Sequence, residues 1–155
     1  MKDLAIRLSK IGLFQGLDKE QLDSILRISS TEEVGQGTMI FQEGDAGEEL
    51  YLILSGKVRI SRHLSTVREE ALAVLEEGQA FGEMAVIEDG VVRSATARAH
   101  HPCTLLVLKR VPFQELLRAD RDLAHAILWN VVKQLSARLR ATTDKMMLLL
   151  GTGLF

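Results

Sequence analysis

Apolar residues recur at helical spacing near the start of the chain, at Leu4, Ile6, Leu8 and Ile11 and again at Leu22, Ile25, Leu26 and Ile28. That spacing predicts two short helices, joined by a turn between Gly12 and Gly16. Asp18 stands three residues before Gln21 and is placed to cap the second helix as half of a capping box.

From residue 31 to 112 the pattern changes to short apolar runs, "TMIF", "ELYLIL", "KVRIS", "ALAVL", "TARA" and "TLLVL". Gly35, Gly37, Gly44, Gly47, Gly56, Gly78 and Gly90 fall between them. Short runs divided by glycine turns predict an antiparallel sandwich or barrel, with a jelly roll as the expected architecture. Residues 113–150 then lack both Pro and Gly and are rich in Leu, Ala, Arg and Gln, so they read as helix, broken near Ala119 to Asp122. Within this stretch Leu128, Val132, Leu135, Leu139, Thr142, Met146 and Leu149 alternate steps of four and three, the seam of a coiled coil. Val132 between Leu128 and Leu135 is the arrangement that favours two strands, which predicts a homodimer through residues 128–149. A helix packed on its own barrel needs a similar stripe, and that alternative stands beside the dimer.

The three textures make one domain of 155 residues, in the α+β class but mainly β. Residues 1–30 are the helical entry, 31–112 the antiparallel jelly-roll β-barrel, and 113–155 the C-terminal helices, one of them long.

A net charge of −2 and an isoelectric point near 6.1 argue against non-specific nucleic-acid binding, which depends on Lys and Arg neutralising phosphates. Cys103 is the single cysteine, so an intramolecular disulfide is excluded, and within "CTLLVL" it reads as a small apolar group in a buried strand. Asp3, Arg7 and Lys10 interrupt the N-terminal apolar positions and exclude a signal-peptide core. No apolar run approaches the roughly 18 residues of a membrane span. The expectation is a cytoplasmic protein with no membrane partner.

Catalysis finds no support. His63, His100, His101 and His125 lack the spacing of a metal-binding barrel, and Ser94 has no evident His partner, so neither a metal, a cofactor nor a catalytic residue is expected. What does stand out is "FGEMAVIEDGVVRSATARA", residues 81–99, in which Glu83 precedes Arg93 by ten residues inside an apolar strand region. A buried Arg is costly unless its charge and donors are met, and its planar guanidinium suits carboxylate or phosphate. Glu83 could be that anion, giving a structural ion pair. The alternative is a phosphate ligand: Gly82 permits close backbone approach, "EMAVI" can form a helical turn with free N–H groups, and Ser94 adds a hydroxyl and an N–H.

This stretch resembles the phosphate-binding cassette of the cyclic nucleotide-binding domain family, and its Glu-to-Arg interval is similar to that of the sensor domain of the bacterial catabolite activator. "LFQGLDKEQLDSIL" and "GTMIFQEGDAGEELYLILSGKVRIS" resemble the family's helical entry and glycine-punctuated strands. The resemblance places the cassette at 81–96. It implies that Arg93 binds the cyclic phosphate and Glu83 the ribose 2′-hydroxyl, with Gly82, Met84, Ala85 and Ser94 framing the pocket and Ala85 and Ser94 offering N–H groups. "RLRATTDKM", residues 138–146, resembles the long helix whose adjacent hydroxyl residues contact adenine, one from each subunit, which assigns Thr142 and Thr143 to the base.

The implied ligand is cyclic AMP, favoured over cyclic GMP, and the implied action is movement of the C-terminal helix that regulates a partner protein of unknown identity. The catabolite activator continues into a DNA-binding domain where this chain reads "LLLGTGLF". The expectation is therefore a free-standing receptor, with an excised or truncated regulator's sensor domain and a degenerate cassette used only as an interaction module as alternatives. The apolar "MMLLLGTGLF" is a further candidate partner surface.

Overall fold

The capping box forms as its spacing predicts. In the computed structural model, which describes residues 2–151, the Asp18 carboxylate accepts the Gln21 N–H at 2.9 Å and the Gln21 side chain accepts the Asp18 N–H at 3.0 Å. Helix α2 (Lys19–Arg27) starts there, after α1 (Lys2–Ser9) and a 3₁₀ turn at Gly12–Phe14. Eight strands follow: β1 (Ser29–Val34), β2 (Met39–Phe41), β3 (Glu49–Ser55), β4 (Lys57–Ser65), β5 (Arg68–Glu76), β6 (Ala80–Phe81), β7 (Thr96–Ala99) and β8 (Cys103–Lys109). Helix α3 (Met84–Ile87) lies between β6 and β7, and α4 (Arg110–Ala119) and α5 (Arg121–Gly151) close the described chain. The break between the last two falls where the sequence placed it.

The strands make two antiparallel four-stranded sheets, ordered β1-β8-β3-β6 and β2-β7-β4-β5. The expected jelly roll is present, and no ladder joins its two sheets among the described residues, so the barrel is open. Strand β1, "SSTEEV", carries no apolar run, and its interior is exposed. It forms because β8 offers a free edge, pairing from Ser29 with Leu108 to Val34 with Cys103. Backbone hydrogen bonding there needs no apolar side chain.

Strands β3 and β8 alternate with period two, and both faces are buried. Leu50, Leu52, Leu54, Leu106 and Leu108 face the helices, packing with Leu8, Phe14, Ile25, Phe113, Leu123 and Ile127. Tyr51, Ile53, Cys103, Leu105 and Val107 face the other sheet and meet Val58, Phe81, Ala97 and Ala99. Cys103 is thus a core residue, and burial raises its thiol pKa.

Helix α5 carries two distinct stripes. Leu123, Ile127 and Asn130 are buried, and the Asn130 side-chain amide donates to the carbonyls of Leu13 at 3.0 Å and Gln15 at 2.9 Å. Leu128, Val132, Leu135, Leu139 and Met146 of the coiled-coil seam are each half exposed or more. The stripe that packs on the domain and the stripe of the seam are therefore different residues, and residues 135–151 are all exposed. No helix among the described residues is long and apolar enough to cross a membrane. Of the apolar "MMLLLGTGLF" segment, residues 152–155 lie outside the described residues.

Candidate functional site

Strand β6 is followed by Gly82, whose φ of +78° turns the chain into α3. Only glycine adopts that conformation without cost. The following turn is tight: Ala85 N–H donates to Gly82 O and Val86 N–H to Glu83 O, both at 3.2 Å. The Ala85 N–H expected to face an anion is thus bonded within the turn. Arg93 lies on the returning segment, where its N–H donates to Asp45 O and its carbonyl accepts from Gly44 N–H, each at 2.8 Å. The backbone of the β2–β3 loop therefore fixes where Arg93 starts.

Its side chain runs into a slot and is 6% exposed. Nη2 donates to Glu49 O at 3.0 Å and lies 3.5 Å from Glu49 Oε2, Nη1 donates to Gly82 O at 3.3 Å, and Cζ stands 4.1 Å above the Phe41 ring. A Cβ on Gly47 would come within 2.6 Å of Nη2 and closer still to Nε and Cζ, and one on Gly82 within 2.7 Å of Nη1. Two glycines and an aromatic face thus define the slot. Burial depresses the Arg93 pKa, and the neighbouring Tyr51 and Glu49 oppose that shift. Nε is buried and has no hydrogen-bond partner among the described residues. An unpaired donor in such a place is costly, and an acceptor relieves it, an anionic one also offsetting the buried charge.

Glu83 does not pair with Arg93. Its carboxylate accepts from the guanidinium of Arg138 on α5, while the carboxylate beside Arg93 is Glu49. The structural ion pair left open by the sequence is therefore not formed. Between the α3 turn, the sheet and α5 lies a cavity of about 580 Å³. Gly82, Glu83, Met84, Ala85, Arg93 and Ser94 line one side, Ile60, Leu72, Ala73 and Leu75 supply apolar wall, and Arg138, Ala141, Thr142 and Lys145 come from α5. Thr142 is on the wall; Thr143 is not among the lining residues. Their hydroxyls donate at 2.9 Å to the Arg138 and Leu139 carbonyls respectively.

Chemically, the arrangement suits a molecule with an anion at the Arg93–Ser94 end, a hydroxyl for Glu83 and a flat apolar body against the sheet and α5. Phe41, Gly47, Glu49, Arg138 and Lys145 were not singled out from the sequence. Arg138 and Lys145 left a signal, since they stand four residues before and three residues after Thr142 and so share its helix face; the others meet the site only through folding.

The chain is similar to the cyclic AMP receptor protein of Thermus thermophilus, with 40% identity over 128 residues, which is 83% of this chain and 57% of that protein. A cAMP-activated global transcriptional regulator of Mycobacterium tuberculosis is 27% identical over 90% of this chain and 60% of its own length. This chain spans about three fifths of the length of these relatives. Among solved structures, the Thermus thermophilus catabolite activator protein aligns with a TM-score of 0.77 and 37% identity, covering 89% of this chain and 62% of that one. The regulatory domain of Toxoplasma gondii PKA, crystallised with cAMP, aligns at 0.67 and 30% over 74% of this chain and 43% of its own. The family profile described as cyclic nucleotide-binding domain matches residues 31–120, which takes in both sheets, the α3 turn and the Arg93 slot. With more than half of its length matched in this way, the chain belongs to the cyclic nucleotide-binding domain family.

Proposed function

We propose that the chain is a receptor for a purine cyclic nucleotide, cyclic AMP in preference to cyclic GMP, and that ligand binding moves α5 to regulate a partner protein. The observation that carries this reading is the Arg93 guanidinium, buried in the cavity wall with its Nε unpartnered among the described residues. A cyclic phosphate supplies the missing acceptor and offsets the buried charge. Glu83 then takes the ribose 2′-hydroxyl, and Ser94 stands beside the phosphate.

Thr142 supports adenine. Its hydroxyl proton is given to the Arg138 carbonyl, so the oxygen is left as an acceptor, the complement of the adenine amino group. The Arg138 contact supports the switch, because the carboxylate assigned to the ribose is also the one that holds α5. A ligand that engages Glu83 differently in two helix positions shifts the balance between them. The exposed seam on α5 supports a homodimer, in which Thr143 of the partner would approach the base from the other side. Against a degenerate cassette used only as an interaction module stand the separated Glu83 and Arg93 and the cavity beside them.

Calorimetric titration with cyclic AMP and cyclic GMP tests this reading, with Arg93→Ala alongside. Micromolar or tighter binding is expected, and the variant should lose about 2 to 5 kcal/mol, roughly 30-fold to over 1000-fold. A loss below about threefold rules out the phosphate role. No heat with either nucleotide at protein concentrations above roughly 100 μM rules out the receptor.

A further inference from the structure

Arg138, Thr142 and Lys145 lie on one stripe of α5, at steps of four and three, and all three line the cavity. Arg138 marks the end nearest Glu83. Thr142 is one turn further, and Lys145 stands about 10 Å along the axis from Arg138 at 1.5 Å per residue. Lys145 makes no ion pair with another described residue. Its ammonium is therefore available to whatever occupies the outer part of the cavity.

The two outer residues of the stripe have opposite hydrogen-bonding character. Thr142, with its proton committed to the Arg138 carbonyl, presents an acceptor. A lysine ammonium has three donors and no acceptor. At the six position adenine carries an amino donor and guanine a carbonyl acceptor, with N7 an acceptor in both. At the six position, therefore, the group that suits Thr142 suits Lys145 badly and the reverse also holds, while N7 can accept from Lys145 in either purine.

We infer that Lys145 is a specificity-determining residue that lowers the site's discrimination against six-oxo purines, by donating to O6 where Thr142 accepts from the adenine amino group. The inference rests on the cyclic nucleotide reading above and assigns α5 two readers of the base on successive turns. In consequence, the preference for cyclic AMP over cyclic GMP is narrower than Thr142 alone would set.

The test is calorimetry on the full chain with cyclic AMP, cyclic GMP and cyclic IMP. Cyclic IMP carries the six-oxo group without the 2-amino group, so it isolates the contact. Lys145 is exposed, and Lys145→Met removes the donor while keeping the length and helix propensity of the side chain. The expected result is a loss of roughly fivefold for cyclic GMP and cyclic IMP with cyclic AMP changed less than about twofold, and Lys145→Arg should restore the original ratio. An equal loss for all three ligands would assign Lys145 to general attraction of the phosphate and overturn the inference. Unchanged affinities for all three would overturn it as well. Failure of the unmodified protein to bind any of the three defeats the parent reading and this one with it, a result distinct from binding with an unaltered ratio.

Discussion

Gly47→Ala tests the site without replacing any group proposed to meet the ligand. Gly47 does not have a left-handed backbone, so alanine brings no conformational strain of its own. Its methyl group would instead sit within 2.6 Å of Arg93 Nη2 and closer to Nε and Cζ, inside the 3.0 Å that real Cβ contacts essentially never breach. The guanidinium cannot slide toward the opposite side, because the Gly82 backbone and the Phe41 ring already bound it there. It must leave the slot, and with it go the bonds to the Glu49 and Gly82 carbonyls. Losing those bonds costs about 1 to 3 kcal/mol of folding stability. Nucleotide affinity should fall by about 2 to 5 kcal/mol, matching Arg93→Ala, since in both cases the phosphate loses the same cation. The assay is calorimetry with cyclic AMP, with circular dichroism to verify folding and Gly35→Ala as a control, because a Cβ there meets nothing closer than 3.7 Å. The Gly47→Ala and Arg93→Ala double variant should lose no more than either single one. A folded Gly47→Ala protein that binds within about threefold of the parent would refute the argument that the slot presents Arg93 to the ligand.

The remaining predictions concern α5. Asn130→Ala strands the Leu13 and Gln15 carbonyls and should lower stability by about 1 to 3 kcal/mol in urea denaturation; a change under about 0.5 kcal/mol would mean that water satisfies both groups. Leu139→Lys combined with Met146→Lys should convert a dimer to a monomer in sedimentation equilibrium while leaving thermal stability of the monomer unit intact, because both residues are well exposed on the seam. A parent protein that is monomeric across the accessible concentration range would remove the seam from the interface.

The cassette was legible because its residues break local rules: Gly82 and Glu83 interrupt an apolar region, and a charged Arg93 stands where burial was expected. Helix α2, the α4–α5 break and most strands were legible from period and punctuation. Strand β1 was not, because an edge strand paired to an apolar neighbour needs no apolar residues of its own. Gly47 read as turn punctuation, and nothing local distinguishes it from Gly44. Its role depends on Arg93, 46 residues later, packing against it. The exchange of partners at Arg93 and Glu83 was hidden for the same reason: Glu49 and Arg138 are ordinary surface charges until strand pairing and helix docking bring them in. A single coiled-coil stripe was visible on α5, whereas the second was disguised by Asn130, a polar residue in a buried position whose acceptors lie in the Leu13–Gln15 turn.

Helix α5 is anchored over its first half, and from residue 135 to 151 it is exposed, meeting the fold at the Arg138–Glu83 contact and along the cavity and otherwise free. That free portion is about 25 Å long at 1.5 Å per residue. In the proposed switch it would act as a lever arm whose fulcrum is the Asn130 clamp. A tilt of only about 10° at the fulcrum, about 32 Å from Gly151, sweeps the far tip by roughly 5.5 Å, about one turn's rise. The contact between Arg138 and Glu83 lies near the fulcrum and travels far less. In that switch a shift of about 2 Å at Arg138, on the cavity wall, becomes roughly 5.5 Å at the tip, large enough to change which residues a neighbouring chain can touch.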